Sequence, residues 1–211
     1  MNKIFFKVLP KRFYERSSSE VARDLLGKLI VRKINNNLLI ARIVETEAYH
    51  GLKDPASRAF TTPKMAQAMW SHPGQVFVYM VHNNWLFNII TDKNGIPSAV
   101  LIRAAEPIEN VEVMIKNRGF NFKKEDLNLT NGPGKLSEAL KIEKLHNGVK
   151  VYNPDSELSI AESISKEEFR ISSSHRIGVK RDLKEKLRFY IENNKWVSKG
   201  KVISEFKRLY L

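Results

Sequence analysis

The chain has 211 residues, 42% of them hydrophobic, which suffices for one packed domain and excludes a wholly disordered polypeptide. Cysteine is absent, which excludes disulfides, a thiolate nucleophile and any cysteine-bound zinc or iron–sulfur cluster. The formal charge of +13, from 36 Lys and Arg against 23 Asp and Glu, leaves two readings open: a polyanionic partner such as nucleic acid, or the compositional habit of a Lys- and Asn-rich chain.

No run approaches the ~20 apolar residues of a membrane span. The opening MNKIFFKVLP is cut off by Pro10 and Lys11 before it could read as a secretory signal. Ser18 and Ser19 predict the cap of a short helix carrying Val21, Leu25 and Leu29 on one side. KLIVRKI (28–34) and LLIARIVETEAY (38–49) flank an Asn cluster and predict a β-hairpin. VFVYMV (76–81) and WLFNIIT (85–91), joined by His82, Asn83 and Asn84, predict a second one. SAVLIRA (98–104) reads as a further buried strand. Pro107 then opens a predicted helix with acids early, Lys116 and Arg118 late, and Gly119 as its stop. Asn131-Gly132-Pro133 opens another, with Leu136, Ala139 and Leu140 facing inward, and LRFYI (187–191) is a late strand. Hairpins interleaved with helices predict an α+β fold: a single domain over 1–211 on a curved antiparallel sheet, with a basic helix from about 198.

Three segments carry candidate chemistry. In VETEAY (44–49), regular strand alternation puts Glu45, Glu47 and Tyr49 on one face. Two carboxylates there are a solvated face paired to lysines, or a buried and useful pair; the pattern alone leaves both open. Tyr79 lies in an apolar strand leading to a polar hairpin tip, which suits a core aromatic as well as a platform for a nucleobase. NGPGKL (131–136) offers backbone amides at a helix start beside Lys135, a phosphate seat or an ordinary loop. The nucleophile elbow G-x-S-x-G and the zinc motif H-E-x-x-H are absent.

In order along the chain, RDLLGK (23–28), ARIVETEAYHG (41–51), DPAS (54–57), Pro73-Gly74 with VFVY, Asn88, VLIRAAEP (100–107), TNGPGKL (130–136), RIGV (176–179), and LRFY (187–190) with WVS (196–198) form one combination. In that combination the chain resembles the alkyladenine (3-methyladenine) DNA glycosylases, the monofunctional type of mammals and many bacteria. The resemblance implies removal of alkylated or deaminated purines from double-stranded DNA. Glu47 matches the family's general base, and Arg103 an arginine near the water and that base. Tyr49 and Tyr79 match the aromatics that sandwich the flipped base, and Asn88 a pocket residue that discriminates bases. His82 and Asn83 fall where the family inserts a side chain into the duplex. The implied enzyme needs no cofactor, metal, membrane or obligatory protein partner and acts as a monomer, in the cytoplasm of a prokaryote or the nucleus of a eukaryote.

The sequence departs from the family pattern in places. The position after DPAS, commonly histidine, is Arg58, whose permanent charge would contact a phosphate or hold Glu47 ionised, and would disfavour a cationic base close by. A shifted substrate range or lower activity is expected from it. The hairpin tip is polar and one residue shorter, the loop between Arg58 and Met69 is short, and the basic tail helix is an addition. These departures also suit a nucleic-acid-binding relative without catalysis, and a sheet with surface aromatics would suit single-stranded RNA.

Overall fold

The computed structural model of the chain describes residues 5–64, 66–119, 123–164 and 167–200. In chain order its main elements are β1 (Phe6–Val8), α1 (Ser18–Asp24), β2 (Leu29–Ile34), β3 (Asn37–Tyr49), α2 (Arg58–Thr61), β4 (Val76–Val81), β5 (Asn84–Thr91) and β6 (Ser98–Glu109). They continue with α3 (Val111–Arg118), α4 (Pro133–Ala139), β7 (Leu158–Ser163), β8 (Ile171–Ser174) and β9 (Arg188–Ile191). These nine strands form one open antiparallel sheet in the order β1-β7-β2-β3-β6-β5-β4, with β9 on β3 and β8 on β9. The α+β expectation holds.

Strand β3 is the axis. Its first half pairs with β2 (Leu29 to Arg42, Ile34 to Asn37), and residues 45–47 pair with β9 (Glu45 to Tyr190, Glu47 to Arg188). Its other edge runs along β6, with register shifts around Glu45 that mark a bulge. One β3 face packs on α1, where the Thr46 hydroxyl donates to the Ala22 carbonyl at 2.8 Å and Val44 and Ala48 are fully buried. Leu25, Ile30, Ile43, Phe87, Ile102 and Leu136 extend that core. No described helix is long and apolar enough to cross a membrane.

Both predicted hairpins form, the first as β2–β3 and the second as β4–β5. At the second tip His82 and Asn83 both take positive φ, 46° and 60°, the two-residue turn whose twist suits a hairpin. The α4 helix starts at Pro133, and Leu136, Ala139 and Leu140 are buried as predicted.

Two boundaries differ from expectation. Ser17, not Ser18 or Ser19, caps α1 through a reciprocal capping box with Glu20, and Ser18 lies buried inside the helix. Pro107 opens no helix. It sits within β6, paired with Ala41, and α3 begins only at Val111. Proline is tolerated there because β5 covers β6 only over residues 98–101, so the strand lacks a second neighbour at Pro107. Of the acids early in the expected helix, Glu106 and Glu109 belong to the strand, where Glu106 pairs with Arg42, and Glu112 lies in the first turn of α3. The predicted basic tail helix falls almost wholly on 201–211, outside the described residues.

Candidate active site

The bulged part of β3 carries two glutamates that are both fully buried. The solvated-face reading of VETEAY is therefore wrong: Arg103 and Arg188 from the neighbouring strands, Ser198 and the Ile177 amide meet the carboxylates on the face that strand periodicity left open. Burying a carboxylate is tolerable only when its charge and lone pairs are met. Glu45 Oε1 accepts from Arg103 Nε (2.9 Å), Arg188 Nε (2.7 Å) and the Ser198 hydroxyl (2.8 Å), and its Oε2 accepts from the Ser198 amide (2.7 Å). Glu47 is met differently. Its Oε1 accepts from the Ile177 backbone amide at 2.7 Å and lies 3.3 Å from an Arg103 terminal nitrogen, while its Oε2 accepts from the Tyr49 hydroxyl at 2.9 Å. Glu45 accepts four hydrogen bonds, three of them on Oε1, whereas the outer oxygen of Glu47 accepts from a phenol that lines the cleft.

A third buried cluster props this pair. Arg176 is wholly inaccessible and binds Asp54 through both terminal nitrogens (2.6 and 2.8 Å), Asp182 Oδ1 (2.6 and 2.9 Å) and the Ala48 carbonyl (2.9 Å). Its guanidinium lies 4.6 Å from the Tyr49 ring centroid. One residue later, the Ile177 amide reaches Glu47, so Arg176 fixes both the stacking ring and the donor to the acid.

In front of these groups lies a cleft of about 990 Å³, with Tyr49, Tyr79, Leu86, Leu101 and Arg103 among its lining residues. Tyr79 stacks on Phe77 with centroids 5.2 Å apart, and the Arg58 guanidinium stands 4.8 Å from its ring. The cleft is also lined by Lys135, Lys180, Arg181 and His82, and among the described residues no carboxylate lines it.

Electrostatics follow from burial. Desolvation raises the Tyr49 hydroxyl well above the ordinary phenol value, with Glu47 and then Tyr79 adding to it. The Tyr79 hydroxyl is raised by burial too, although Arg58 pulls it back. Both phenols thus remain donors. Burial acts to lower the Arg103 guanidinium, yet Glu47 and Glu45 outweigh it and hold the proton more firmly than usual. No group of three or more His, Asp or Glu able to hold a metal ion occurs among the described residues.

A sequence model described as methylpurine-DNA glycosylase (MPG) matches residues 12–195. This chain belongs to the methylpurine-DNA glycosylase family. It is 42% identical to the "Putative 3-methyladenine DNA glycosylase" of Desulfitobacterium hafniense (strain Y51), over 91% of this chain and 98% of that protein. The identically named protein of Clostridium novyi (strain NT) is also 42% identical, over 92% and 99%. That of Aeropyrum pernix is 37% identical, over 93% and 95%.

In this member of the methylpurine-DNA glycosylase family, Tyr49 and Arg103 each touch Glu47, and Tyr79 and Arg58 share the cleft with Tyr49 and Arg103. Glu47 itself does not line the cleft; it lies behind Tyr49 and Arg103. Arg58 meets Tyr79, whereas the guanidinium beside Glu47 is that of Arg103. Asn88 is 2% exposed and lines no part of the cleft; its amide donates to the Phe77 and Leu86 carbonyls. His82 lines the cleft and Asn83 stands exposed at the tip. Lys135 also lines it and donates to Asn128 and Asn131, both at 2.9 Å.

Family motifs RIGV, DPAS, LRFY and WVS hold the residues that sequence reasoning left without roles: Arg176, Ile177, Asp54, Arg188 and Ser198. Arg188 gave the one local signal, a charge between Leu187 and Phe189 in an otherwise apolar strand. The Ile177 contribution runs through a backbone amide and leaves no mark on side-chain identity.

Proposed function

We propose that this chain flips a damaged purine out of duplex DNA into the cleft and hydrolyses its N-glycosidic bond, leaving an abasic site. The bond from C1′ to the base breaks with its electron pair leaving on the base. A water oxygen bonds to C1′, and Glu47 draws off that water's proton. The sugar passes through an oxocarbenium-like state, as in glycoside hydrolysis, whose positive charge a nearby carboxylate stabilises. The reading is carried by one observation: a buried carboxylate whose inner oxygen is fully engaged and whose outer oxygen meets only a phenol that lines the cleft.

The other residues take roles in keeping with that chemistry. The water stands at the cleft floor between Tyr49 and Arg103, which, with Ile177, both line the cleft and touch Glu47. Tyr49 and Tyr79 receive the extruded base between them. Lys135, Lys180 and Arg181 meet the phosphates, and His82 and Asn83 lean on the gap left in the duplex. All of these come from one chain, so a monomer suffices, and no cofactor enters the scheme.

The decisive experiment incubates the chain with alkylated and hypoxanthine-containing duplexes and scores strand cleavage at abasic sites. The native chain is expected to release base, and Glu47→Gln to lose at least about a hundredfold in rate while still binding DNA. A rival reading, a nucleic-acid-binding relative without catalysis, draws on the closure of Glu47 behind Tyr49. Tight binding by the native chain with no base released would select it.

A further inference from the structure

Arg58 has no part in the scheme above, and its surroundings give it one. The α2 helix begins at Arg58, behind a Ser57 cap whose hydroxyl accepts the Ala59 amide, which fixes this residue in the cleft wall. Its guanidinium lies against Tyr79, and among the described residues no carboxylate forms an ion pair with it. The three buried guanidiniums behind the slot are matched: Arg103 by Glu45 and Glu47, Arg176 by Asp54 and Asp182, and Arg188 by Glu45. Three cations therefore face four carboxylates behind the slot, a cluster one charge negative by itself. Arg58 cancels that excess at the face where the base would stack, and Lys180 and Arg181 add further positive charge at the cleft.

We infer that Arg58 makes this slot select electrically neutral 6-oxopurines, hypoxanthine being the simplest, over purines made cationic by alkylation at N3 or N7. This rests on the hydrolase reading and narrows its substrate class. A cationic base gains less from an electron-rich ring that already draws a cation, and here the Arg58 guanidinium stands 4.8 Å from the centre of Tyr79 and repels a second positive charge. A neutral 6-oxopurine instead presents O6 and N7 as acceptors, the pair that an arginine fork engages in guanine. An N7-alkylated purine has lost one of those acceptors and repels the fork. Bond cleavage sharpens the difference. A cationic base departs neutral when it takes the C1′–N electron pair, whereas a neutral oxopurine departs as an anion that later takes a proton from solvent. A fixed guanidinium beside O6 and N7 stabilises that charge as it develops.

The test measures single-turnover base release from duplexes bearing one hypoxanthine or one 7-methylguanine, with uncatalysed loss subtracted. It compares the native chain, Arg58→Gln and Arg58→Lys. Arg58→Gln is expected to lower the hypoxanthine to 7-methylguanine rate ratio at least about tenfold, equivalent to ~1.4 kcal/mol, by slowing the first and speeding the second. Arg58→Lys keeps the charge without the planar fork, so hypoxanthine slows while 7-methylguanine stays as slow as in the native chain. Release of both bases at an unchanged ratio in either variant overturns the inference and leaves the hydrolase reading standing. Release of neither base by the native chain overturns the hydrolase reading, and this inference with it.

Discussion

Glu45 and Glu47 stand two positions apart and are equally inaccessible, yet their partners set them to different tasks. Glu45 takes two guanidiniums and both donors of Ser198, and it does not line the cleft. Removing its charge strands Arg188 and one side of Arg103 in the interior, a loss of about 3–5 kcal/mol. Tyr49 meets the outer oxygen of Glu47, so Tyr49→Phe tests that contact with the ring retained. It is expected to cost about 1–3 kcal/mol of stability by denaturant unfolding and to slow base release far more than it weakens DNA binding. Equal losses in rate and binding would show that the hydroxyl has no part in catalysis. Asp54 supplies a pH signature. Burial would raise its carboxyl, but the hydrogen bonds and charge of Arg176 prevail and hold it below its ordinary value of 3.8. A depressed native value means that the unfolded chain binds more protons in acid. The stability Asp54 adds is thus complete above that ordinary value and is lost as pH falls through the native one. Thermal melts of Asp54→Asn are expected to show lower stability at neutral pH and a shallower decline below pH ~4 than native melts.

At the scale of elements, what could be read from the sequence was what periodicity and turn chemistry encode. The β2–β3 and β4–β5 hairpins announced themselves through alternating apolar runs around asparagines, and α4 through Gly132-Pro133. Pro107 misled because a proline near acids looks like a helix start, whereas tertiary pairing kept β6 extended past it. Strand β7 went unseen although Asn153-Pro154-Asp155-Ser156 marks a turn before it, because its six residues, LSIAES, have no partner nearby in the chain; it is β1 and β2 on either side that fix it. The site was legible as residue types on β3, β4 and β6, but the Arg176 cluster was not, since it joins residues more than 120 positions apart. Meeting points between elements also set a limit that no single segment reveals. A methyl group on Gly134 of α4 would lie 2.7 Å from the Cβ of Asn84 at the hairpin tip. Gly134→Ala must therefore push the tip away from α4, because backbone-anchored atoms cannot swing aside. Weaker binding to duplexes containing an abasic-site mimic is expected, with thermal stability little changed; unaltered affinity would mean that the tip does not touch DNA.

For the whole molecule, the charge of +13 matters less than where it is placed. Many lysines and arginines are spent on internal or surface pairs, such as Lys28 with Glu162, Arg32 with Glu157 and Arg16 with Asp24. The cleft is different, since Lys135, Lys180 and Arg181 line it and no carboxylate among the described residues does. Such a surface attracts a polyanion and releases condensed counterions when it binds, so affinity falls linearly with salt on logarithmic axes, with a slope of about 0.9 per phosphate neutralised. If a uniform basic habit drove binding, removing any two surface lysines would alter that slope alike. If the cleft charges drive it, Lys180→Ala combined with Arg181→Ala lowers the slope by about 2, while a control pair remote from the cleft, Lys116→Ala with Lys144→Ala, leaves it unchanged. Binding titrations on one duplex between about 50 and 200 mM salt separate the two cases, and equal slopes for both double variants would refute a cleft-centred interface.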